Sequence, residues 1–186
     1  MNTQFNFKSR TLKLALISAF AFGAATVGGI SAAAEATATA SGTVIVPIAI
    51  AKTVDLSFGK FAPGAGGTIT VSTSGDRTSS GVIMSAIGSS PTAAKFDVTG
   101  DADATYSIAH SGTAVLTNTT GVGDETMTLT KFSDLTAGDA TTGNVASGTL
   151  SAGGAQSIYV GGTLTVGAAQ VPGVYTGTVI ATVEYN

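Results

Sequence analysis

The chain has 186 residues, of which only 10% are charged, and it contains no cysteine, no tryptophan and one histidine. From residue 35 onward, five basic residues stand against eleven acidic ones, a formal charge of −6 that argues against a nucleic-acid partner. The absence of cysteine excludes disulfides, so the fold must be stabilised by packing and strand pairing alone.

Residues 1–34 have the pattern of a secretory signal peptide. Three basic residues precede an uncharged apolar run over residues 14–30, and the small residues 32–34 follow. This pattern predicts export through the inner membrane and cleavage before Glu35. An uncleaved membrane anchor is the alternative, because the run approaches the ~20 residues that span a bilayer. The glycines within the run favour cleavage, which would leave 152 residues, the size of one domain.

The rest of the chain has the composition of an all-β protein. Thr, Gly, Ala, Ser and Val dominate, whereas the residues that fill surface helices are sparse. Short runs of alternating apolar and polar residues are separated by Gly, Asp, Ser and Pro, which is typical of a sandwich or barrel. We therefore predict an all-β, immunoglobulin-like antiparallel sandwich. The candidate strands are residues 43–50, 53–58, 67–71, 82–87, 95–99, 105–109, 126–132, 156–166 and 173–185.

The last candidate strand, residues 173–185, has a clear period of two. One face carries mainly apolar and aromatic residues, and the other carries threonines and Glu184. At ~3.3 Å per residue the segment spans roughly 40 Å, about twice the length of a typical strand. We therefore expect this strand to bend, or to pair with something beyond its own sheet.

The end of the chain resembles the C-terminal motif of chaperone-usher pilus subunits. Tyr185 is the penultimate residue, and Gly173 occupies the fourteenth place from the end. The resemblance implies that this strand pairs with a periplasmic chaperone and then borders a groove that accepts a neighbour's strand. An ordinary C-terminal edge strand is the alternative. The residues that the resemblance assigns to pairing are Gly173, Tyr175, Val179, Ala181, Val183 and Tyr185.

Several further segments resemble a bacterial exported domain family of unknown function. They are the Leu-Ser-Phe-Gly stretch at residues 56–59 together with residues 67–71, 96–100, 159–166 and 172–175. This family is similar to spore coat protein U and to archaic chaperone-usher pilin domains. The resemblance covers residues 40–186 and implies a pilin-like sandwich that a donor strand completes. The lack of cysteine departs from many classical pilins, which carry one disulfide.

Residues 35–46 precede the sandwich domain, which we place at residues 47–186, and they suit the role of such a donor strand. In residues 36–46, one face carries alanine, glycine and valine, and the other carries threonines and one serine. The small side chains would let the strand enter another subunit's groove. A low-complexity linker is the alternative for residues 36–41. The residues expected to face the groove are Ala36, Ala38, Ala40, Gly42, Val44 and Val46.

The sequence offers little support for catalysis or metal binding. His110 is the only histidine, and we expect it at a solvent-facing strand end, since no Gly-x-Ser-x-Gly motif accompanies it. Calcium could bind Asp97, Asp101 and Asp103, with Asp124 and Glu125 further on, but aspartates of this kind also form turns. We favour turns and expect no catalytic residue, no cofactor and no metal.

These observations favour a structural subunit of a fimbria-like surface fibre, assembled by donor-strand exchange and acting in adhesion or biofilm formation. The expected partners are other copies of the chain or related subunits, arranged head to tail, with a periplasmic chaperone and an outer-membrane usher. The expected location is the periplasm and then the cell surface. The alternative is a self-contained secreted or surface sandwich that binds carbohydrate or an envelope protein.

Overall fold

The computed structural model describes residues 33–121 and 125–186, so residues 1–32 of the predicted leader lie outside the described residues. Residues 33–42 are exposed and have no regular secondary structure. Residues 43–186 form a separate unit, the domain. Its described part contains the strands β1 (Ala49–Val54), β2 (Phe61–Ala62), β3 (Gly67–Val71), β4 (Arg77–Ser80), β5 (Ile83–Met84), β6 (Ala94–Thr99), β7 (Thr105–Gly112), β8 (Val115–Asn118), β9 (Thr126–Asp134), β10 (Ser147–Thr149), β11 (Ala155–Val166), β12 (Tyr175–Thr176) and β13 (Val179–Tyr185).

The strands form two antiparallel sheets and a short ribbon. The larger sheet has eight strands in the order β1-β6-β11-β9-β8-β12, with β3 pairing β11 and β4 pairing β3. The smaller sheet has the order β10-β7-β13, and β2 pairs with β5 in the ribbon. Every ladder between these strands is antiparallel. The prediction of an all-β antiparallel sandwich is therefore confirmed.

Two clusters of buried apolar side chains form the core. The first joins the two sheets, with Phe96 and Ile158 from the larger sheet packed with Tyr106 and Ile108 from β7. The second lies within the curl of the larger sheet, where β3, β9 and the end of β11 meet. Each fully buried side chain of this size contributes about 1.5 to 3 kcal/mol. The second cluster contains Phe58, Ile69, Val71, Val82, Met127, Leu129, Leu164 and Val166.

The terminal strand is divided between the two sheets. Tyr175 and Thr176 pair with β8 in the larger sheet, whereas residues 179–185 pair with β7 in the smaller one. The expectation that this segment bends is therefore confirmed, and the bend lies at Gly177 and Thr178. The carbonyl of Thr178 accepts a hydrogen bond from the N–H of Thr113 at 3.0 Å.

Some predicted strands are absent or shorter in the described structure. Residues 43–48 form no strand, and β1 begins only at Ala49, because Pro47 has no N–H with which to join a ladder. The candidate at 53–58 is also wrong beyond Val54, where β1 ends next to an irregularity in its pairing with β6.

No helix in the described residues is long and apolar enough to cross a membrane.

Candidate functional site: an apolar groove beside the C-terminal strand

A groove of about 770 Å³ opens between residues 54–63 and residues 170–177. The first of these segments begins at the last residue of β1, an end strand of the larger sheet, and the second contains β12, the strand at the opposite end. The floor comes from side chains of the two core clusters and their neighbours, so it is almost entirely apolar. The floor residues are Ala94, Phe96, Leu116, Met127, Leu129 and Leu164.

The wall formed by residues 170–177 is fixed to the loop that follows β8. The carbonyl of Val174 accepts hydrogen bonds from the N–H of Thr119 at 2.8 Å and from its hydroxyl at 3.1 Å. The N–H of Val174 donates to the Thr120 hydroxyl at 2.8 Å. The Tyr175 hydroxyl donates to the carbonyl of Val171 at 2.7 Å, which closes the turn before β12. This wall is therefore held in place by backbone groups and hydroxyls.

Gly173 lies within this wall at a position that has no room for a side chain. A Cβ there would overlap the side-chain amide of Asn118, a buried residue. The Oδ1 atom of Asn118 accepts hydrogen bonds from the N–H groups of Thr120 at 2.9 Å and Gly121 at 2.8 Å, so the amide cannot easily move aside. The glycine that the sequence places fourteenth from the end thus has a packing reason in this fold.

Beyond the groove, β13 presents an edge that pairs with no other strand in the described residues. The N–H of Thr113 donates to the carbonyl of Thr178, and the N–H of Asn186 donates to that of Thr105. In an antiparallel ladder, successive residues direct their backbone N–H and C=O groups alternately toward and away from the neighbouring strand. Because Thr178 and Asn186 bond on the side of β7, the N–H and C=O groups of Val179 and of every second residue after it point away from β7. An edge of this kind can accept another strand.

The six residues predicted to pair with a chaperone or subunit fall into two groups. Gly173, Tyr175 and Val179 line the groove. Ala181, Val183 and Tyr185 instead pack against the core cluster that joins the two sheets. The structure therefore brings only the first half of the predicted strand to the groove.

The predicted donor residues lie outside every strand of the described structure. Ala36, Ala38, Ala40 and Gly42, in the N-terminal unit, are exposed. In the domain, Val44 is 98% exposed and Val46 is 55% exposed. These are unusual positions for large apolar side chains in a chain with a well-formed core.

His110 lies on β7 and is half-buried, so the expectation of a solvent-facing strand end is wrong. Its Nε2 atom lies 2.9 Å from the Ser133 hydroxyl and 3.1 Å from the carbonyl oxygen of Val145. Because a carbonyl only accepts, Nε2 carries the hydrogen, and Nδ1 is buried without a hydrogen-bond partner in the described structure. Burial lowers the pKa of His110 below its ordinary value. The hydrogen bond to the carbonyl of Val145 raises it in part, and the nearby Lys131 lowers it.

This arrangement ties two strands together and lacks the orienting group of a catalytic triad. The Ser133 hydroxyl is buried, and it accepts the N–H of Val145 at 3.1 Å. No carboxylate among the described residues bonds Nδ1 of His110. The contact connects β7 and β9 to the segment that contains Val145.

The aspartates considered for calcium do not converge. Asp97 lies on β6, where hydrogen bonds from Ser157 at 2.7 Å and from Lys95 lower the pKa of its carboxyl group. Asp101 and Asp103 lie in the turn after β6, and Asp103 has a φ of 57°. Asp124 lies outside the described residues. Nowhere in residues 33–121 and 125–186 do three His, Cys, Asp or Glu side chains form a group that could hold a metal ion.

The fold and this groove define the chain as an all-β antiparallel sandwich domain with an apolar groove next to open strand edges. Residues 48–185 match the model of the family described as "Domain of unknown function (DUF4402)", and the chain belongs to this family. The predicted resemblance to a domain family of unknown function is thus confirmed, whereas the similarity to pilin domains stays a prediction. No curated protein and no solved structure matches the chain.

Proposed function

We propose that this protein is a structural subunit of a fimbria-like surface fibre. In this proposal, residues 36–46 of one subunit insert as a strand into the groove between residues 54–63 and 170–177 of the next. The observation that carries the proposal is the apolar groove of about 770 Å³, which lies beside β1 and β12, the two end strands of the larger sheet in the described residues. Backbone N–H and C=O groups at such an edge favour the addition of a strand from another chain.

The proposed donor matches the floor of the groove in polarity. Residues 36–46 carry no charge, and the floor residues of the groove are uncharged as well. The charged residues of the lining, Lys52, Asp55 and Lys60, are exposed. An inserted strand would therefore place apolar side chains on an apolar floor without adding a buried charge of its own.

The energy of insertion would come mainly from the two valines of the donor. Burial of Val44 and Val46 would contribute about 1.5 to 3 kcal/mol each, and the small alanines would contribute less. Donor and groove are different surfaces, so the contact is heterologous and propagates into an open fibre instead of closing a dimer.

Export precedes assembly in this proposal. The leader at residues 1–34 would direct the chain through the inner membrane, and a periplasmic chaperone would cover the open groove until an outer-membrane usher joins the subunits. An uncovered apolar groove with free strand edges promotes aggregation, which is the physical reason for a chaperone. The fibre would act in adhesion or biofilm formation, without enzymatic activity, a cofactor or nucleic acid.

A pair of single substitutions in the donor tests the proposal. Val44 and Ile45 are neighbours, and both are exposed in the described structure, at 98% and 52%. Aspartate at either position should therefore leave the subunit folded. Because Val44 faces the groove in the proposed register and Ile45 faces outward, Val44→Asp should abolish fibres, whereas Ile45→Asp should reduce them much less.

The readout is heat-resistant ladders on a denaturing gel, together with size-exclusion chromatography of the exported protein. Deletion of residues 36–43 combined with Val44→Asp and Val46→Asp should leave a secreted subunit that is monomeric or degraded. Fibres formed by this variant would contradict the proposal. A stable wild-type monomer that binds glycans or an envelope protein would favour the alternative, a self-contained surface sandwich.

A further inference from the structure

The guanidinium of Arg77 holds the groove wall at residues 54–63 through contacts with oxygens of the main chain. Its Nη1 atom donates to the carbonyl of Phe58 at 2.9 Å and to that of Lys60 at 3.1 Å. Its Nη2 atom donates to the carbonyl of Ser85 at 2.8 Å. Neither ion pair found among the described residues involves Arg77.

Ser89 and Gly59 complete this arrangement, which we call the Arg77 clamp: Arg77, Ser89 and the backbone of residues 58–60. The Ser89 hydroxyl accepts from Nη1 of Arg77 at 2.9 Å and from the N–H of Lys60 at 2.8 Å. Gly59 has a φ of +70°, and a Cβ there would overlap the Ser89 hydroxyl and lie 2.8 Å from Nη1. A glycine at this position therefore lets the guanidinium reach the backbone.

The clamp acts where the backbone pairing of the wall is interrupted. Ser57, just before it, exchanges two backbone hydrogen bonds with Thr92. At its other end the carbonyl of Lys60 accepts the N–H of Ser85 at 3.0 Å, next to the Phe61–Met84 pair of the ribbon. Arg77 thus bonds the carbonyl of Phe58, which accepts no backbone N–H in the described part of the chain, and adds a second bond to the carbonyl of Lys60.

We propose that Arg77 is a positioning residue that sets the width of the groove and thereby its affinity for the partner strand. This inference rests on the proposed function. Phe58, which belongs to the clamp, and Phe61, just after it, both line the groove. A strand inserted between two walls must lie about 4.8 Å from each edge that it bonds, and hydrogen bonds weaken steeply with misalignment. A small shift of this wall should therefore weaken strand binding.

Peptide binding by the full-length exported chain tests this role. All acceptors carry Val44→Asp, which prevents self-donation, and the probe is a labelled synthetic peptide of residues 36–46. Arg77→Lys keeps the charge but cannot reproduce the planar set of donors, so it should weaken peptide binding by about tenfold or more. Gly59→Ala, which displaces the clamp, should have the same effect.

The matched control is Ser79→Ala on the same strand. This change removes one hydrogen bond, from the Ser79 hydroxyl to the carbonyl of Val82 at 3.0 Å, without touching the groove wall. It should lower the thermal midpoint slightly and change peptide affinity by less than about twofold. Affinity is compared at a temperature at which circular dichroism shows each variant fully folded.

Two failures remain distinguishable in this design. If folded Arg77→Lys binds the peptide as tightly as the Ser79→Ala control does, the role of Arg77 is overturned, whatever happens to its thermal midpoint. If the acceptor with Arg77 intact does not bind the peptide, the proposed function itself is overturned. Weakened binding in Arg77→Lys with unchanged binding in the control supports the inference.

Discussion

The hydroxyl of Tyr185 donates a hydrogen bond to the carbonyl oxygen of Val46, 2.8 Å away, and so joins the C-terminal strand to the backbone that precedes β1. The same hydroxyl accepts the N–H of Asp101 at 2.6 Å. Pro47 follows Val46, and a residue before proline is restricted to extended conformations. The backbone at Val46 is therefore fixed at the point where the proposed donor segment ends.

Loss of the Tyr185 hydroxyl should destabilise the domain. Tyr185→Phe keeps the packing of the ring but removes two hydrogen bonds, each worth about 0.5 to 1.5 kcal/mol at a partly exposed site. Unfolding in urea measures this cost.

From the sequence we also expect Tyr185→Ala to lower surface yield far more than Tyr175→Ala does. Equal surface yields of these two alanine variants would remove the C-terminal motif as support for a pilin.

Substitution of Gly173 should be costly even by alanine. Its Cβ would overlap the Asn118 amide, which is fixed by two backbone N–H groups, so Gly173→Ala should lower the free energy of unfolding by about 1 to 3 kcal/mol. Gly153→Ala is the control, because the nearest atom to its Cβ is the Ser151 hydroxyl oxygen at 3.6 Å. Urea denaturation compares the two, and an equal loss in both would contradict the packing explanation.

Stability should fall as the pH drops through the range in which histidine titrates. Burial lowers the pKa of His110 in the folded state below its ordinary value of about 6.5, so the unfolded chain binds a proton first. The stability that the fold gains by keeping His110 neutral is therefore fully present above about pH 6.5 and is lost as the pH falls below that value. His110→Gln removes the titrating group and should flatten the pH dependence of the unfolding free energy between about pH 7.5 and 5. An unchanged slope in this variant would contradict the assignment.

The exported protein should begin at Glu35. The basic residues, the apolar run and the small residues 32–34 predict cleavage there, although residues 1–32 lie outside the described structure. Intact-mass spectrometry of exported material measures the N-terminus directly. A mass that includes residues 1–34 would indicate an anchored protein, and the proposed fibre would then lose its free donor segment.

Local sequence patterns predicted the longer strands well. Residues 67–71 match β3, and the predicted strands at 95–99 and 156–166 match β6 and β11 to within one residue at each end. Their alternating apolar residues are sufficient to predict a strand, because one face of each strand is buried. The short strands β4, β8 and β10 were missed, since they have little or no alternation and depend on the backbone groups of neighbouring strands.

The sequence by itself determined the all-β class and the family resemblance, because composition and period-two patterns can be read from short stretches of the chain. Only the tertiary structure decided where the groove lies and what holds it. Its floor combines Phe96, Leu116, Leu129 and Leu164, which come from four different strands. The contacts of Arg77 likewise depend on distant segments that meet only when the chain folds. Contacts between distant segments depend on the order and register of the strands, and local periodicity does not encode these.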